Sequence, residues 1–347
     1  MRTLVAGWFS FANGHATAGD LLACDVVCEW LKRAGYTFDV ALAPPFRGGV
    51  DLHRADPAGY SHAVFVCGPF EKKELEAQFL GRFANCIVFG VDLTMHVPLD
   101  AWNPFDFLIE RDSSAAAHPD ITFLSAQRRV PVVGLCLVEP YEGSIASVAN
   151  AAFDRLIASR EMAVVQIDTR LDVNTTGLRS PAEVESLLAR MDVVLTTRLH
   201  GTVLALKNGV PVVAIDPEAG GAKIKRQAQT IGWPAAFAAD AVSDESLQEA
   251  FEYCLTGQAR AAARECCDRA ASMVEKMRLE FIAALDHSDQ LVRKQGERAA
   301  FAASYSHNRH ADGTNAERAA RVREPLTGGR MLKRLAARGR SLLSWKR

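Results

Sequence analysis

Two basic side chains of different chemistry stand two residues apart in Thr197-Arg198-Leu199-His200. They follow an apolar run, 192–196, that predicts a buried strand. A guanidinium at the end of such a strand can hold a carboxylate or a phosphate through two parallel hydrogen bonds. An imidazole beside it can exchange a proton near neutral pH. The bare triplet is common, and it also fits a solvated arginine beside a histidine that caps a helix.

The residues after the triplet complete a strand–helix–strand unit. The pattern predicts a short helix over 201–207 that ends at Asn208-Gly209, and a second strand over 211–215. In a parallel sheet, ligands collect at the C-terminal ends of the strands, where helix N-termini present unpaired amides to anions. The sequence therefore predicts that Arg198 and His200 lie at such an edge and favour an anionic substrate.

Short apolar runs alternate with helical patterns along most of the chain. The first series has runs at 3–9, 37–42, 62–67, 86–91 and 107–109. A proline-bearing stretch, 118–131, precedes a second series that begins at 131–138. This alternation is typical of a parallel sheet covered on both faces. We therefore predict an α/β chain with two doubly wound, Rossmann-like domains, 1–127 and 128–285.

The end of the chain, 286–347, differs in composition and is predicted to be a weakly ordered basic tail. Residues 321–347 hold nine basic residues and one acid, so they carry +8 while residues 1–320 carry −9. Within it, 331–345 could form a basic amphipathic helix on an anionic membrane surface, or a solvated tail. Nucleic acid is not an expected partner, because the positive charge is confined to the tail and no aromatic residues are interleaved with it.

Composition limits the classes of protein to which the chain can belong. The chain has 347 residues, of which 49% are hydrophobic, which suits two globular domains. Its eight cysteines form no CxxC pair, so we expect buried free thiols in a reducing, cytoplasmic compartment. No metal-ligand spacing is visible, and no export signal or membrane-spanning run is found. We expect a cytoplasmic protein without a bound metal.

The stretch from Asp192 to Asp216 resembles the signature region of the polysaccharide pyruvyl transferase family. That region has a strand, Arg-Leu-His, an alanine-rich helix, Gly-Val-Pro and a second strand that ends near a lysine, whose place Lys223 resembles. Two further elements are similar to the family's motifs. They are Arg111-Asp112-Ser113, similar to Arg-Asp-x-x-Ser, and Gly19-Asp20, similar to the N-terminal Gly-Asp.

The resemblance implies two domains that face a cleft, as in glycosyltransferases of the B type. The first domain would bind the acceptor and the second the donor. The reaction would transfer pyruvate from phosphoenolpyruvate to two hydroxyls of a saccharide as a cyclic ketal, with release of phosphate. Phosphoenolpyruvate is the donor substrate, and no cofactor is expected. The acceptor would be a saccharide or a lipid-linked saccharide of exopolysaccharide biosynthesis, modified in the cytoplasm or at the inner face of the membrane.

The resemblance also implies roles for individual residues. Arg198 and Lys223 would bind the anionic groups of the donor, with Gly201 beside them and Arg111 as a second clamp from across the cleft. His200 would protonate the methylene carbon of the donor or assist the departure of phosphate.

On the acceptor side the resemblance implies two neighbouring residues. Asp20 would be the base for the acceptor hydroxyl, with Gly19 in the substrate site. The alternative for Asp20 is a carboxylate at a helix start, which the helix dipole favours.

Two other functions fit the same sequence. One is a glycosyltransferase with a nucleotide-sugar donor, for which Glu218 is the nearby residue that could bind a ribose. The other is a non-catalytic scaffold that associates with a membrane through the basic tail.

Overall fold

The structure is a computed structural model that describes residues 1–288, 291 and 294–302. The described residues form two compact units, the first over 1–128 and the second from Arg129 onward. The predicted amphipathic helix over 331–345 lies outside the described residues, as does the whole basic segment 321–347.

The first unit is built on a five-stranded parallel sheet in the order β2-β1-β3-β4-β5. Two helices accompany it, α1 (Ala18–Arg33) and α2 (Glu74–Arg82). The strands are β1 (Arg2–Gly7), β2 (Thr37–Val40), β3 (His62–Phe70), β4 (Ile87–Met95) and β5 (Phe107–Asp112).

Each face of this sheet has its own core, because successive side chains of a strand point to opposite faces. Val5 and Val64 pack with Val27 of α1 on one face. Leu4 and Phe65 pack on the other, together with Phe79 and Phe83 of α2 and the turn after it. The two helices therefore cover opposite faces, which makes the strands read as continuous apolar runs.

The second unit repeats this plan with a sheet in the order β10-β9-β8-β6-β7, also fully parallel. Its strands are β6 (Val132–Cys136), β7 (Ala163–Gln166), β8 (Val193–Thr196), β9 (Val212–Asp216) and β10 (Ala236–Ala238). Its helices are α3 (Ala146–Ala158), α4 (Pro181–Leu188), α5 (Leu199–Lys207), α6 (Lys223–Ile231), α7 (Asp244–Cys254) and α8 (Gly257–Asp286).

The two sheets have the same topology. When the strands of each unit are numbered in chain order, both sheets read 2-1-3-4-5. In this doubly wound arrangement the direction of strand addition reverses between strands 1 and 3, and the crevice outside their C-terminal ends is the usual ligand site. The prediction of two parallel-sheet α/β domains is confirmed. The switch points lie between β1 and β3 in the first unit and between β6 and β8 in the second.

Two local predictions differ from the structure. The helix after β8 begins at Leu199, two residues earlier than predicted, so His200 belongs to its first turn. The strand β10 was not predicted, because three residues are too few to show a period.

All eight cysteines lie in the described part and are free, and seven of them are buried. No helix among the described residues is long and apolar enough to cross a membrane.

Candidate functional site

Arg198 lies at the switch point of the second unit and is the residue that immediately precedes α5. Its backbone is extended, with φ −110° and ψ 138°. Its N–H donates a hydrogen bond to Thr196 Oγ1 at 3.0 Å, and that hydroxyl donates to the Cys136 carbonyl at 2.7 Å. The Thr196 side chain therefore ties the end of β8 to the end of β6. This fixes Arg198 at the sheet edge that the sequence predicted.

The Arg198 guanidinium is already paired inside its own unit. Its Nε donates to the Leu137 carbonyl at 2.7 Å, and its Nη2 donates to Glu139 Oε2 at 2.6 Å. The same Nη2 lies 3.6 Å from Asp168 Oδ1. Of the three guanidinium nitrogens of Arg198, Nη1 alone has no partner among the described residues. An incoming anion therefore meets an arginine that has carboxylate neighbours, which the sequence analysis did not foresee.

The two carboxylates beside Arg198 differ in freedom. Asp168 has a side-chain exposure of 6%, and it accepts hydrogen bonds from the Arg170 N–H at 2.9 Å and from Thr175 Oγ1 at 3.1 Å. Glu139 has a side-chain exposure of 57%, and Arg198 is its one hydrogen-bond partner among the described residues. Asp168 is therefore a fixed counter-ion, whereas Glu139 is a partner that a ligand can replace.

His200 is exposed on the first turn of α5, and its imidazole has no hydrogen-bond partner in the described part of the chain. Arg198, the N-cap residue, makes no side-chain capping hydrogen bond to the first-turn amides of this helix. Uncapped amides at a helix N-terminus favour anions through their partial positive charge. Both features leave the imidazole and the helix end accessible to a ligand.

Gly201 is buried where α5 packs closely against β8 and β6. A Cβ at this position would lie 2.3 Å from Thr196 Oγ1 and 3.1 Å from Cys136 Sγ. The absence of a side chain therefore lets the helix approach the strands. The geometry assigns Gly201 a packing role, in addition to whatever its amide offers a ligand.

Lys223 is the first residue of α6, and its ammonium is exposed. The N–H groups at the start of this helix already donate hydrogen bonds to Asp216. The sequence predicted for Asp216 only a place at the end of β9. Asp216 Oδ2 accepts from the N–H groups of Ala222 at 2.7 Å, Ile224 at 2.9 Å and Lys225 at 3.1 Å. Because Asp216 occupies the N–H groups of Ile224 and Lys225, the Lys223 ammonium is the group at this helix end best placed to meet an anion.

Asp20 caps its own helix in the first unit. It is 7% exposed, and its Oδ2 accepts from the Thr17 N–H at 2.7 Å and from Thr17 Oγ1 at 2.8 Å. This is a capping box, so the geometry favours the helix-start alternative for Asp20. Gly19 lies beside it in the first turn of α1, half-buried, and a Cβ there would meet only Thr17 Oγ1 at 3.4 Å.

Arg111, at the end of β5, is fully engaged within the first unit. Its Nη1 donates to Asp120 Oδ2 at 2.9 Å, its Nη2 to Thr94 Oγ1 at 2.8 Å and its Nε to Asp112 Oδ2 at 3.3 Å. Every guanidinium nitrogen thus has a partner inside this unit. The geometry favours a structural role for Arg111 over the predicted second clamp.

Two residues that the sequence analysis missed lie next to this arginine. Cys67 on β3 and Asp92 on β4 are non-glycine residues with positive φ, 63° and 61°. Both are buried, and the burial raises the pKa of the Cys67 thiol to about 12 and raises the pKa of the Asp92 carboxyl. Left-handed backbone in such residues is uncommon and concentrates at functional sites. Their only sequence signal is their place at the ends of two predicted strands.

A comparison with protein families matches a continuous segment that includes both arginines described above. Residues 108–218 match the polysaccharide pyruvyl transferase family. The matched segment runs from β5 to just beyond β9, so it contains Arg111, Arg198 and His200. It confirms the resemblance that the stretch from Asp192 to Asp216 predicted, and this family indicates a transferase enzyme.

Solved structures similar to this chain include glycosyltransferases and an epimerase. The calicheamicin glycosyltransferase is 13% identical, with a TM-score of 0.30 over 82% of this chain and 98% of that chain. The glycosyltransferase VinC, in complex with dTDP, is 12% identical, with a TM-score of 0.31 over 83% of this chain and 100% of that chain. The UDP-GlcNAc 2-epimerase from Methanocaldococcus jannaschii is 9% identical, with a TM-score of 0.28 over 80% and 99%. No curated protein matches the sequence. The fold assignment rests on the sheet topology.

A group of potential metal ligands lies in the segment around Arg111. The ligand atoms of Cys67, Asp92 and Asp120 all lie within 4.8 Å of one another. Arg111 Nη1 lies 3.8 Å from both Cys67 Sγ and Asp92 Oδ2, as well as 2.9 Å from Asp120. The guanidinium therefore already supplies the positive charge that these groups attract.

Glu218, the residue for the nucleotide-sugar alternative, lies just after β9. It is half-buried, and its Oε1 accepts from the Tyr141 hydroxyl at 3.4 Å, which is a long contact. Nothing in this geometry favours a ribose site.

Proposed function

We propose that this protein transfers pyruvate from phosphoenolpyruvate to two hydroxyls of a saccharide. The observation that carries the proposal is the match of residues 108–218 to the polysaccharide pyruvyl transferases, together with the place of Arg198 and His200 at the β6/β8 switch point. The residues there suit a donor with a carboxylate and a phosphate, because a guanidinium, an imidazole and uncapped helix amides converge on one sheet edge.

The donor carboxylate binds Arg198 in place of Glu139. The guanidinium keeps its buried contacts with the Leu137 carbonyl and Asp168, and these hold its plane while the exposed carboxylate exchanges. Lys223, exposed at the start of α6, neutralises the phosphate. In this arrangement the enzyme binds the donor through groups that are already oriented, which lowers the entropic cost of reaching the transition state.

His200 acts as the general acid. It gives a proton to C3 of phosphoenolpyruvate, so that C2 accepts the first sugar hydroxyl as a C–O bond forms. The C–O bond to phosphate then breaks, the second hydroxyl adds to C2, and the ketal closes. The two hydroxyl protons replace the one delivered to C3 and the one carried away on phosphate, so the imidazole is regenerated.

Donor binding tests this proposal directly. Thermal unfolding measured with phosphoenolpyruvate and, separately, with a series of nucleotide sugars should show stabilisation by phosphoenolpyruvate only. Stabilisation by a nucleotide sugar and none by phosphoenolpyruvate would replace the proposal with the glycosyltransferase alternative. Release of inorganic phosphate that depends on a saccharide would then establish the reaction.

The basic segment 321–347 is proposed as a tether to an anionic membrane surface, where a lipid-linked acceptor of exopolysaccharide synthesis would lie on the cytoplasmic side. Removal of these residues should abolish sedimentation with phosphatidylglycerol vesicles and preserve activity on a soluble acceptor. Loss of both would contradict a role as tether.

A further inference from the structure

A groove of about 330 Å³ lies on the first unit between α1 and the loop that follows β2. Leu21 and Asp25 face it from α1, and Leu42, Phe46 and Arg47 face it from the loop. Gln127 completes the wall. The volume of the groove is at the lower end of the range for small-molecule sites.

Asp25 is the polar centre of this groove. Its Oδ2 accepts a hydrogen bond from the Gln127 side-chain amide. Its Oδ1 is buried and has no hydrogen-bond partner among the described residues. Burial raises the pKa of this carboxyl, with the Gln127 hydrogen bond acting in the opposite direction. A buried acceptor without a donor is costly, so a ligand group that donates a hydrogen bond to this carboxyl would be stabilised in the groove.

The opposite wall supplies a flat apolar surface and free donors. Phe46 is half-buried, and Arg47 beside it is exposed and has no hydrogen-bond or ionic partner within the described residues. Leu21 and Leu42 add aliphatic surface. The groove thus combines a carboxylate that accepts, an amide and a guanidinium that donate, and an aromatic ring.

This set of groups suits a sugar better than other ligands. Sugar hydroxyls both donate and accept hydrogen bonds, so they can satisfy Asp25 and Arg47 together, while the C–H face of a sugar ring packs on Phe46. A hydrocarbon chain would leave Asp25 Oδ1 without a donor. An anion would be repelled by the Asp25 carboxylate.

We propose that the groove lined by Asp25, Phe46, Arg47 and Gln127 is a saccharide-binding subsite for the acceptor. This inference rests on the proposed function for the identity of the acceptor, and on the geometry of the groove for its place.

Kinetics with a varied acceptor and saturating phosphoenolpyruvate test the subsite in the full-length chain. Arg47→Ala and Phe46→Ala should each raise the KM for the acceptor on the order of 10-fold and leave the KM for phosphoenolpyruvate unchanged. Arg54→Ala is the matched control, because Arg54 is an exposed arginine outside the groove, 3.9 Å from Asp51. Unchanged acceptor KM in both groove variants overturns the proposal. Since Arg47 is exposed and unpaired, its loss leaves the fold intact.

A binding experiment without phosphoenolpyruvate separates this proposal from the proposed reaction. Saturation-transfer NMR with methyl glycosides of glucose, galactose, mannose and N-acetylmannosamine should show contact with at least one of them, which Arg47→Ala weakens and Arg54→Ala does not. If such binding is found in a chain that transfers no pyruvate, the reaction is wrong and the subsite stands. If no glycoside binds, or if decyl phosphate displaces it from the groove, the subsite is overturned.

Discussion

The two units share one strand order, but the arginines at their strand ends are paired differently. At the β6/β8 switch point of the second unit, Arg198 is paired with an exposed carboxylate, and the imidazole of His200 beside it has no hydrogen-bond partner within the described residues. In the first unit the arginine lies away from the β1/β3 switch point, at the end of the outermost strand β5, where Arg111 is held by Asp120, Thr94 and Asp112, with the buried Asp92 nearby. The first arrangement can exchange partners with a ligand. In the second arrangement every guanidinium nitrogen already has a partner within the unit.

This contrast teaches that topology selects the place of a site but not its chemistry. Both edges lie at the C-terminal ends of parallel strands, where a ligand would be expected. What separates them is whether the charged groups have replaceable neighbours. On this basis we propose that the second unit binds the donor, whereas the first unit provides the Asp25 groove. The following predictions test that division.

The largest effect is expected at His200. His200→Ala should lower turnover by about 10²–10⁴, which is the usual contribution of a general acid or base, and should leave the unfolding temperature unchanged because the imidazole has no protein partner in the described part. Steady-state rates of phosphate release, with circular dichroism as the control for folding, measure this. Activity close to that of the wild type would remove His200 from the mechanism.

Arg198→Lys should be the next most harmful change. An ammonium cannot keep the Leu137 carbonyl and Asp168 contacts while it binds a carboxylate through two parallel bonds, so kcat/KM for phosphoenolpyruvate should fall about 10- to 100-fold. The matched change Arg111→Lys in the first unit should affect stability more than kcat/KM. The opposite ranking would contradict the division between the units.

Glu139→Gln should improve donor binding. The substitution removes the negative charge that competes with the donor for Arg198, so the KM for phosphoenolpyruvate should fall by about 3- to 10-fold with a similar kcat. Glu142→Gln, which alters an exposed glutamate in the same loop, is the control. A KM that rises would show that Glu139 orients Arg198 instead of competing with the donor.

Asp20→Ala and Thr17→Ala together distinguish a helix cap from a catalytic base. Both break the capping box of α1, so each should lower the free energy of unfolding by about 1 kcal/mol. If Asp20 is only a cap, the two variants retain similar turnover. A turnover far lower in Asp20→Ala than in Thr17→Ala would restore Asp20 as the base for the acceptor hydroxyl.

A smaller, pH-dependent effect is expected from two aspartates of the first unit. Burial raises the pKa of Asp25 in the folded protein, so folding loses stability as pH rises through that value. Asp25→Asn removes this loss and should unfold at a higher temperature than the wild type at pH 7, but not at pH 3. Hydrogen bonds from Arg2 lower the pKa of Asp39, so Asp39→Asn should show the reverse, with its loss of stability at pH 7 fading as pH falls. If the unfolding temperatures of both variants changed in the same way with pH, the pKa shifts assigned to Asp25 and Asp39 would be wrong.

Much of the fold could be predicted from the sequence because each unit is a series of local patterns. Short stretches of sequence are enough to place these elements. The apolar run at 192–196 indicates a strand, and Ser180, Pro181 and Glu183 indicate the start of a helix. The structure confirms them, with β8 at Val193–Thr196 and the Ser180 hydroxyl accepting from the Glu183 N–H at 3.2 Å. The family signature was visible for the same reason, since it lies in one continuous stretch.

The partners of the charged groups could not be predicted in this way. Arg198 lies 59 residues from Glu139 in sequence, and Asp92 lies on a different strand from Arg111. Such pairs form only when parallel strands bring their ends to one edge, and no period or motif encodes which side chains then meet. The sequence determined the elements, the strand-end position of Arg198 and the resemblance to a family. Only the tertiary structure decided that Arg198 starts from an exchangeable ion pair, that Arg111 is fully engaged, and that Asp25 keeps a buried oxygen without a donor, because electrostatic neighbours are a property of packing.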